Sequence, residues 1–139
     1  MYNQMQLKIL SLSENESFAR NVIASFAVSL NPSVSEINDI KTAVSEAVTN
    51  AIVHGYPDTV GTIYIDAEIK ENVLHIKIKD EGVGISNLSM ALEPFYSSKY
   101  DDERSGMGFT IMQTFMDDVK VESKLNYGTV VEMTKSFNR

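Results

Sequence analysis

Among its 139 residues the chain has no cysteine and only two histidines. Without thiols there is no disulfide framework and no thiolate metal or redox site, and two imidazoles are too few for most transition-metal centres. A hard cation that takes oxygen ligands, such as magnesium, is not excluded. No apolar run approaches the roughly 18 residues of a membrane helix. The N-terminus has no basic segment leading into a long apolar stretch, so neither membrane nor export is expected and a cytoplasmic location is. Positive charge is also scarce. Twelve Lys and Arg stand against nineteen Asp and Glu, for a net charge of -7, and no run of basic residues concentrates what there is. Nucleic acid is therefore not expected as a direct partner.

What remains is an ordinary globular composition, 43% apolar and 22% charged, of a size that suits one core and hence one domain over residues 1–139. Residues 5–12 alternate partially and read as a first strand. Ser13 with Glu16 fits a capping box, and Phe18, Val22, Phe26 and Leu30 then repeat every four residues up to Asn31-Pro32, predicting a helix with that stripe inward. Ser33 with Glu36 repeats the capping signal. It opens a longer helix whose apolar face runs through Ile37, Ile40, Val44, Ala47, Val48, Ala51 and Ile52 to a stop at Gly55.

Residues 62–70 and 73–80 alternate strictly and form a hairpin across Glu71-Asn72, with His75, Lys77 and Lys79 on its polar face. Residues 86–105 have weak periodicity and read as a mobile flap. A third helix is predicted over residues 108–118, burying Phe109, Met112, Phe115 and Met116. Strands over 119–124 and 129–135 flank an Asn126-Tyr127-Gly128 turn. The order β-α-α-β-β-loop-α-β-β predicts an α+β, two-layer sandwich with a mixed, mostly antiparallel sheet and helices on one face.

Three places carry chemistry. Glu46, Thr49, Asn50 and His54 share one stripe of the long helix, where a carboxylate and an amide four residues apart can meet one ligand; a solvated helix face is the plain alternative. Asp80-Glu81-Gly82-Val83-Gly84 ends a buried strand. Its two glycines admit close approach of backbone, and its acid can accept from an exocyclic amine such as that of adenine, unless it is simply a turn with a capping acid. Ser105-Gly106-Met107-Gly108-Phe109 is a glycine-rich turn entering a helix, which aims free N–H groups and the positive dipole end at an anion, phosphate being the natural one; such turns also serve as connectors. It is neither a Walker A loop nor a Rossmann fingerprint. His54, in the last turn of its helix, suits local packing or the helix C-terminus at least as well as phosphate.

Taken in order, Glu46-x-x-Thr49-Asn50-Ala51, Asp80-x-Gly82-x-Gly84, Gly106-Met107-Gly108-Phe109 and Gly128-Thr129 resemble the four nucleotide boxes of the gyrase, chaperone, histidine-kinase and mismatch-repair ATPase superfamily, over roughly residues 35–135. The whole chain is similar to the small anti-sigma-factor serine kinases of spore-forming Gram-positive bacteria. The segments that carry this likeness are residues 13–20, 45–52 with His54-Gly55-Tyr56, and 103–112.

The resemblance implies a Bergerat-type ATP-binding fold, ATP or ADP with Mg²⁺ as cofactor, Asn50 as magnesium ligand and Glu46 as acceptor of the attacking hydroxyl's proton. It further implies that Asp80 and Thr129 select adenine, that Gly82 and Gly84 pass the base and ribose, and that the turn of Ser105, Gly106, Met107 and Gly108 presents N–H groups to the phosphates. Arg104, just before that turn, is expected as a lid cation on the γ-phosphate. A sporulation sigma factor (sigma F) and an anti-anti-sigma protein substrate are the implied partners, with Arg20 and Glu16 at the partner surface. A homodimer is implied as well, through the free edge of the first strand. General-stress anti-sigma kinases carry the same boxes, and an ATPase or nucleotide switch without kinase activity is the remaining alternative.

Overall fold

The computed structural model describes residues 1–85 and 107–137. Five strands, β1 (Tyr2–Leu10), β2 (Thr62–Lys70), β3 (Val73–Asp80), β4 (Asp118–Lys124) and β5 (Gly128–Ser136), accompany three α-helices, α1 (Glu14–Ala27), α2 (Val34–Asn50) and α3 (Gly108–Phe115). The strands form one sheet in the order β1-β2-β3-β5-β4. All four described pairings are antiparallel, so the mixed character expected of the sheet is absent among the described residues.

Strict alternation explains the central hairpin. Ile63, Ile65, Ala67 and Ile69 of β2 and Leu74, Ile76 and Ile78 of β3 are all buried, and the register sets Ile65 opposite Ile78, Ala67 opposite Ile76 and Ile69 opposite Leu74. Partners share a face, so one side of the sheet is continuously apolar. Onto it pack the helices, α1 against α2 and α2 against α3. The two-residue turn puts Glu71 at φ 57, in the left-handed region where glycine is commoner.

Helix α2 is built as its sequence predicts. Its buried residues Ile40, Ala43, Val44, Ala47 and Val48 recur at helical spacing, and Ser33 and Glu36 make both arms of the capping box. Losing such a cap costs about 1 kcal/mol. Ser33→Ala is therefore expected to lower unfolding free energy by about that much in urea titration.

Helix α1 differs from expectation at both levels. Ser13 has helical dihedrals and its side chain makes no cap; its hydroxyl instead donates to the Glu14 carboxylate at 3.2 Å. Glu16 pairs with Arg20 at 2.8 Å rather than reaching back. Ser13→Ala should accordingly leave stability within about 0.5 kcal/mol, against the full cap loss at Ser33. Of the expected inward stripe, Leu30 is buried and Phe26 packs against the core, but the most buried face lies one residue over. Phe18 is 51% exposed while Ala19, Ile23, Ala24 and Ala27 are buried. Ala19, Ile23 and Ala27 have the same four-residue spacing, and their small ends let α1 lie close to α2. The helix closes through a 3-10 turn, Val28–Leu30, and a left-handed Asn31.

The first strand begins and ends earlier than residues 5–12, and α3 stops at Phe115. Met112 and Met116 fill the core, at 0% and 5% exposure. The flap expected over residues 86–105 lies outside the described residues. No described helix is long and apolar enough to cross a membrane.

Candidate nucleotide site

Asp80 follows Leu74, Ile76 and Ile78 in the alternation of β3, so its side chain points to the helix side of the sheet, where it is only 4% exposed. Its Oδ1 accepts from the Gly82 N–H at 2.9 Å, and the Thr129 N–H, directly across the β3–β5 register, also donates to the carboxylate. Burial raises the Asp80 pKa above the ordinary carboxylate range, and these two N–H groups partly offset the rise. Beside it, the Thr129 and Ser123 hydroxyls lie 2.8 Å apart.

The loop after Asp80 is held from two sides. Val83 donates its N–H to the Gly55 carbonyl at 2.9 Å, and its own carbonyl accepts from Asn126 at 2.7 Å. The Ile85 N–H donates to Ser123 Oγ at 2.7 Å. Glycine is required at the crossings: a Cβ on Gly55 would stand 2.8 to 3.0 Å from the Asp80 carboxyl atoms, and one on Gly82 would overlap the Gly55 carbonyl. Gly84 sits at φ 74, which side chains rarely adopt.

Gly55 arrives there by an unusual route. The α-helical hydrogen bonding of α2 ends at Asn50, and residues Ala51–Gly55 make a π-helical turn, closed by the Tyr56 N–H on the Ala51 carbonyl at 3.0 Å. Such widened turns recur at functional sites. Here the turn starts directly after Asn50 and ends against the Asp80 carboxylate, joining the polar stripe of α2 to the buried acid.

The sequence-derived residues thus fall into groups. Asp80, Gly82, Gly84 and Thr129 come together at the ends of β3 and β5. Glu46, Asn50 and His54 lie on α2 and its π-turn, all half-buried, attached to that cluster through Gly55. Gly108 is buried at the start of α3 with open space where a Cβ would be, and Met107 precedes it half-buried. Arg104, Ser105 and Gly106 lie outside the described residues. Arg20 and Glu16 bind each other on α1.

Gly55 and Tyr56 enter the sequence reading only as a helix stop and as part of the segment that carries the family likeness, with no role at the site, and nothing marks Ser123. No cluster of three or more His, Cys, Asp or Glu able to hold a metal occurs among the described residues. The donor set suits a hard cation shared with phosphate oxygens, for which one amide oxygen on a helix is enough protein; it does not suit a metal held by protein alone.

Among the described residues, an antiparallel sheet under helices, with a buried strand-end aspartate and a glycine loop, defines a class. Residues 11–135 match the family model of the histidine kinase-like ATPase domain, and ATP or ADP is accordingly its ligand class. Within it, several relatives match over nearly their whole length. The anti-sigma F factor of Clostridium acetobutylicum is 56% identical over 135 residues, covering 97% of this chain and 94% of the relative. That of Caldanaerobacter subterraneus is 53% identical over 99% of this chain and 96% of the relative, and that of a Geobacillus species is 53% identical over 100% and 96%. The chain belongs to the anti-sigma F factor family.

Two solved structures share the fold. The RsbU and RsbW domains of a Mycobacterium tuberculosis protein align with TM-score 0.68 at 16% identity, covering 96% of this chain and 32% of that one. A blue-light activated histidine kinase of Erythrobacter litoralis aligns with TM-score 0.59 at 18% identity, covering 87% and 41%. The chain thus spans less than half of either longer protein, and at these identities the likeness is one of fold.

Proposed function

We propose that this chain is a cytoplasmic, single-domain protein serine kinase that uses Mg-ATP to phosphorylate a serine of an anti-anti-sigma protein, and that it also sequesters a sporulation sigma factor. The observation that carries the proposal is near-full-length identity above 50% to several anti-sigma F factors. The arrangement on α2 supports it chemically. Glu46 and Asn50 are one helical turn apart, immediately before the π-turn that reaches Asp80.

In this reading Asp80 accepts the exocyclic amine of adenine, with Thr129 beside it, and Gly82 and Gly84 let the loop pass close to base and ribose. Asn50 holds Mg²⁺ through its amide oxygen, and Met107 and Gly108 offer N–H groups at the start of α3. Bound Mg-ATP supplies the γ-phosphoryl group, whose bond to the β-phosphate oxygen breaks as one to the serine Oγ forms. The Glu46 carboxylate takes the proton that the serine hydroxyl gives up. Phosphoryl transfer needs mainly positioning and charge neutralisation, and one rigid helix carrying both Glu46 and Asn50 fixes their spacing. His54, Arg104, Ser105 and Gly106 complete the proposed phosphate side.

Arg20 and Glu16, ion-paired on α1, are proposed at the partner surface, and a homodimer through β1 is in keeping with that strand's place at the sheet edge. Incubating the chain with γ-labelled ATP and an anti-anti-sigma protein is expected to give acid-stable phosphoserine on that protein. Nucleotide binding with no transfer to any such protein would leave only a nucleotide switch.

A further inference from the structure

Tyr56 follows the π-turn and enters a loop, yet it is 8% exposed and belongs to the core. Its hydroxyl donates to the Thr62 carbonyl at 2.6 Å and accepts from the Glu81 N–H at 2.7 Å. The ring lies over Gly61, where a Cβ would overlap it, and Gly61 is tied by its N–H to Ser11 Oγ and by its carbonyl to the Ser11 N–H, both at 2.9 Å. Burial of the phenol raises its pKa, so it stays protonated and keeps its donor at neutral pH.

The register gives this hydroxyl its meaning. Ile63 pairs with Asp80, so the next step of the ladder would set Thr62 opposite Glu81, with the Glu81 N–H free to bond the Thr62 carbonyl. The Tyr56 hydroxyl stands between those two groups and bonds both. A ladder bond is replaced by a side-chain bridge, and the two strands diverge immediately beyond Asp80. The released chain turns at Gly82 and returns Val83 to the Gly55 carbonyl. Gly55, one residue before the wedge, presents its bare Cα to the Asp80 carboxyl group. The consecutive residues 55 and 56 therefore touch the acid from one side and fix its backbone departure from the other.

We propose that Gly55 and Tyr56 are positioning residues that hold the Asp80 carboxylate, and so set the preference for a purine bearing a 6-amino group; this rests on the reading that Asp80 accepts from adenine. Tyr56→Phe keeps the ring and removes the bridge, leaving Glu81 to re-pair with Thr62 and Asp80 to shift with it. Gly55→Ala leaves the bridge intact and crowds the carboxylate directly, so the two variants disturb the same group by independent routes.

The test compares equilibrium binding of ATP and of purine riboside triphosphate, which lacks the 6-amino group, by titration calorimetry. The wild type is expected to prefer ATP by about 10- to 100-fold, the range of one hydrogen bond to a charged acceptor. In Tyr56→Phe the preference should fall to about threefold or less, with affinity for the analogue changed by less than about twofold, and Gly55→Ala should do the same. A general loosening of the fold would weaken both nucleotides alike and leave the ratio standing. That result in either folded variant overturns the proposal. A wild type with no preference would instead overturn the role of Asp80.

Discussion

Replacing Glu46 by glutamine is expected to lower phosphoryl transfer to serine by about 10²- to 10⁴-fold, the usual worth of a positioned proton acceptor, with ATP affinity within about threefold of wild type. The amide keeps the size of the carboxylate and most of its hydrogen bonding, but it cannot take a proton. Glu46 is half-buried on α2, beside the fully buried Ala47 and Val48, so its backbone does not move when its head group changes. Asn50 lies one turn on and is left in place, which is why binding should survive. Single-turnover transfer from γ-labelled ATP, measured alongside direct nucleotide binding, separates the two effects. Transfer kept within about threefold would end the role of Glu46 as base, and parallel loss of binding and transfer would make it a ligand contact.

Much of what positions Glu46 is legible in the sequence, because it is written in local pattern. The capping box at Ser33 and Glu36 and the recurrence of Ile40, Val44, Ala47 and Val48 specify α2 and its orientation without reference to the rest of the chain. The hairpin of β2 and β3 is equally local. The same reasoning places α1 but misassigns its most buried face, since two series there, Phe18-Val22-Phe26 and Ala19-Ile23-Ala27, have identical spacing. Hydrophobicity alone favours the larger residues. Close packing on α2 favours the smaller ones, and that is a tertiary fact.

The site divides along the same line. Gly82 and Gly84 are recognisable as places of close approach, but what approaches Gly82 is the Gly55 carbonyl, from a segment far away in sequence. Nothing in residues 51–55 announces a π-turn, because an i to i+5 bond differs from an i to i+4 bond only in what the end of the turn must reach. The Ala51–Gly55 turn reaches Asp80. Tyr56 is hidden for a similar reason: in a stretch with Pro57, Asp58 and Gly61 it reads as loop, and its ring lies against Gly61, which hydrogen bonds to Ser11 at the end of β1 hold in place.

Asp80→Asn is expected to weaken ATP binding by about 30- to 150-fold, the 2–3 kcal/mol of a hydrogen bond to a charged, buried acceptor, and its dependence on pH gives the cause. Burial raises the Asp80 pKa, so the folded protein holds this proton more tightly than the unfolded chain does. Between the ordinary carboxylate value and the raised one, the folded state binds more protons, and stability therefore falls as pH rises through that window. Above it the cost of a buried charge is fully present. Asparagine carries no such cost, so the stability of Asp80→Asn relative to wild type should increase as pH rises through the window and then level off, in urea unfolding without nucleotide. Nucleotide binding should run the opposite way. Wild-type affinity for ATP should drop as acid protonates Asp80, and the variant should lack that drop. A wild type and variant with parallel pH profiles would mean that Asp80 acts by shape rather than by charge, and the selection of adenine would then rest on Thr129 and the glycine loop alone.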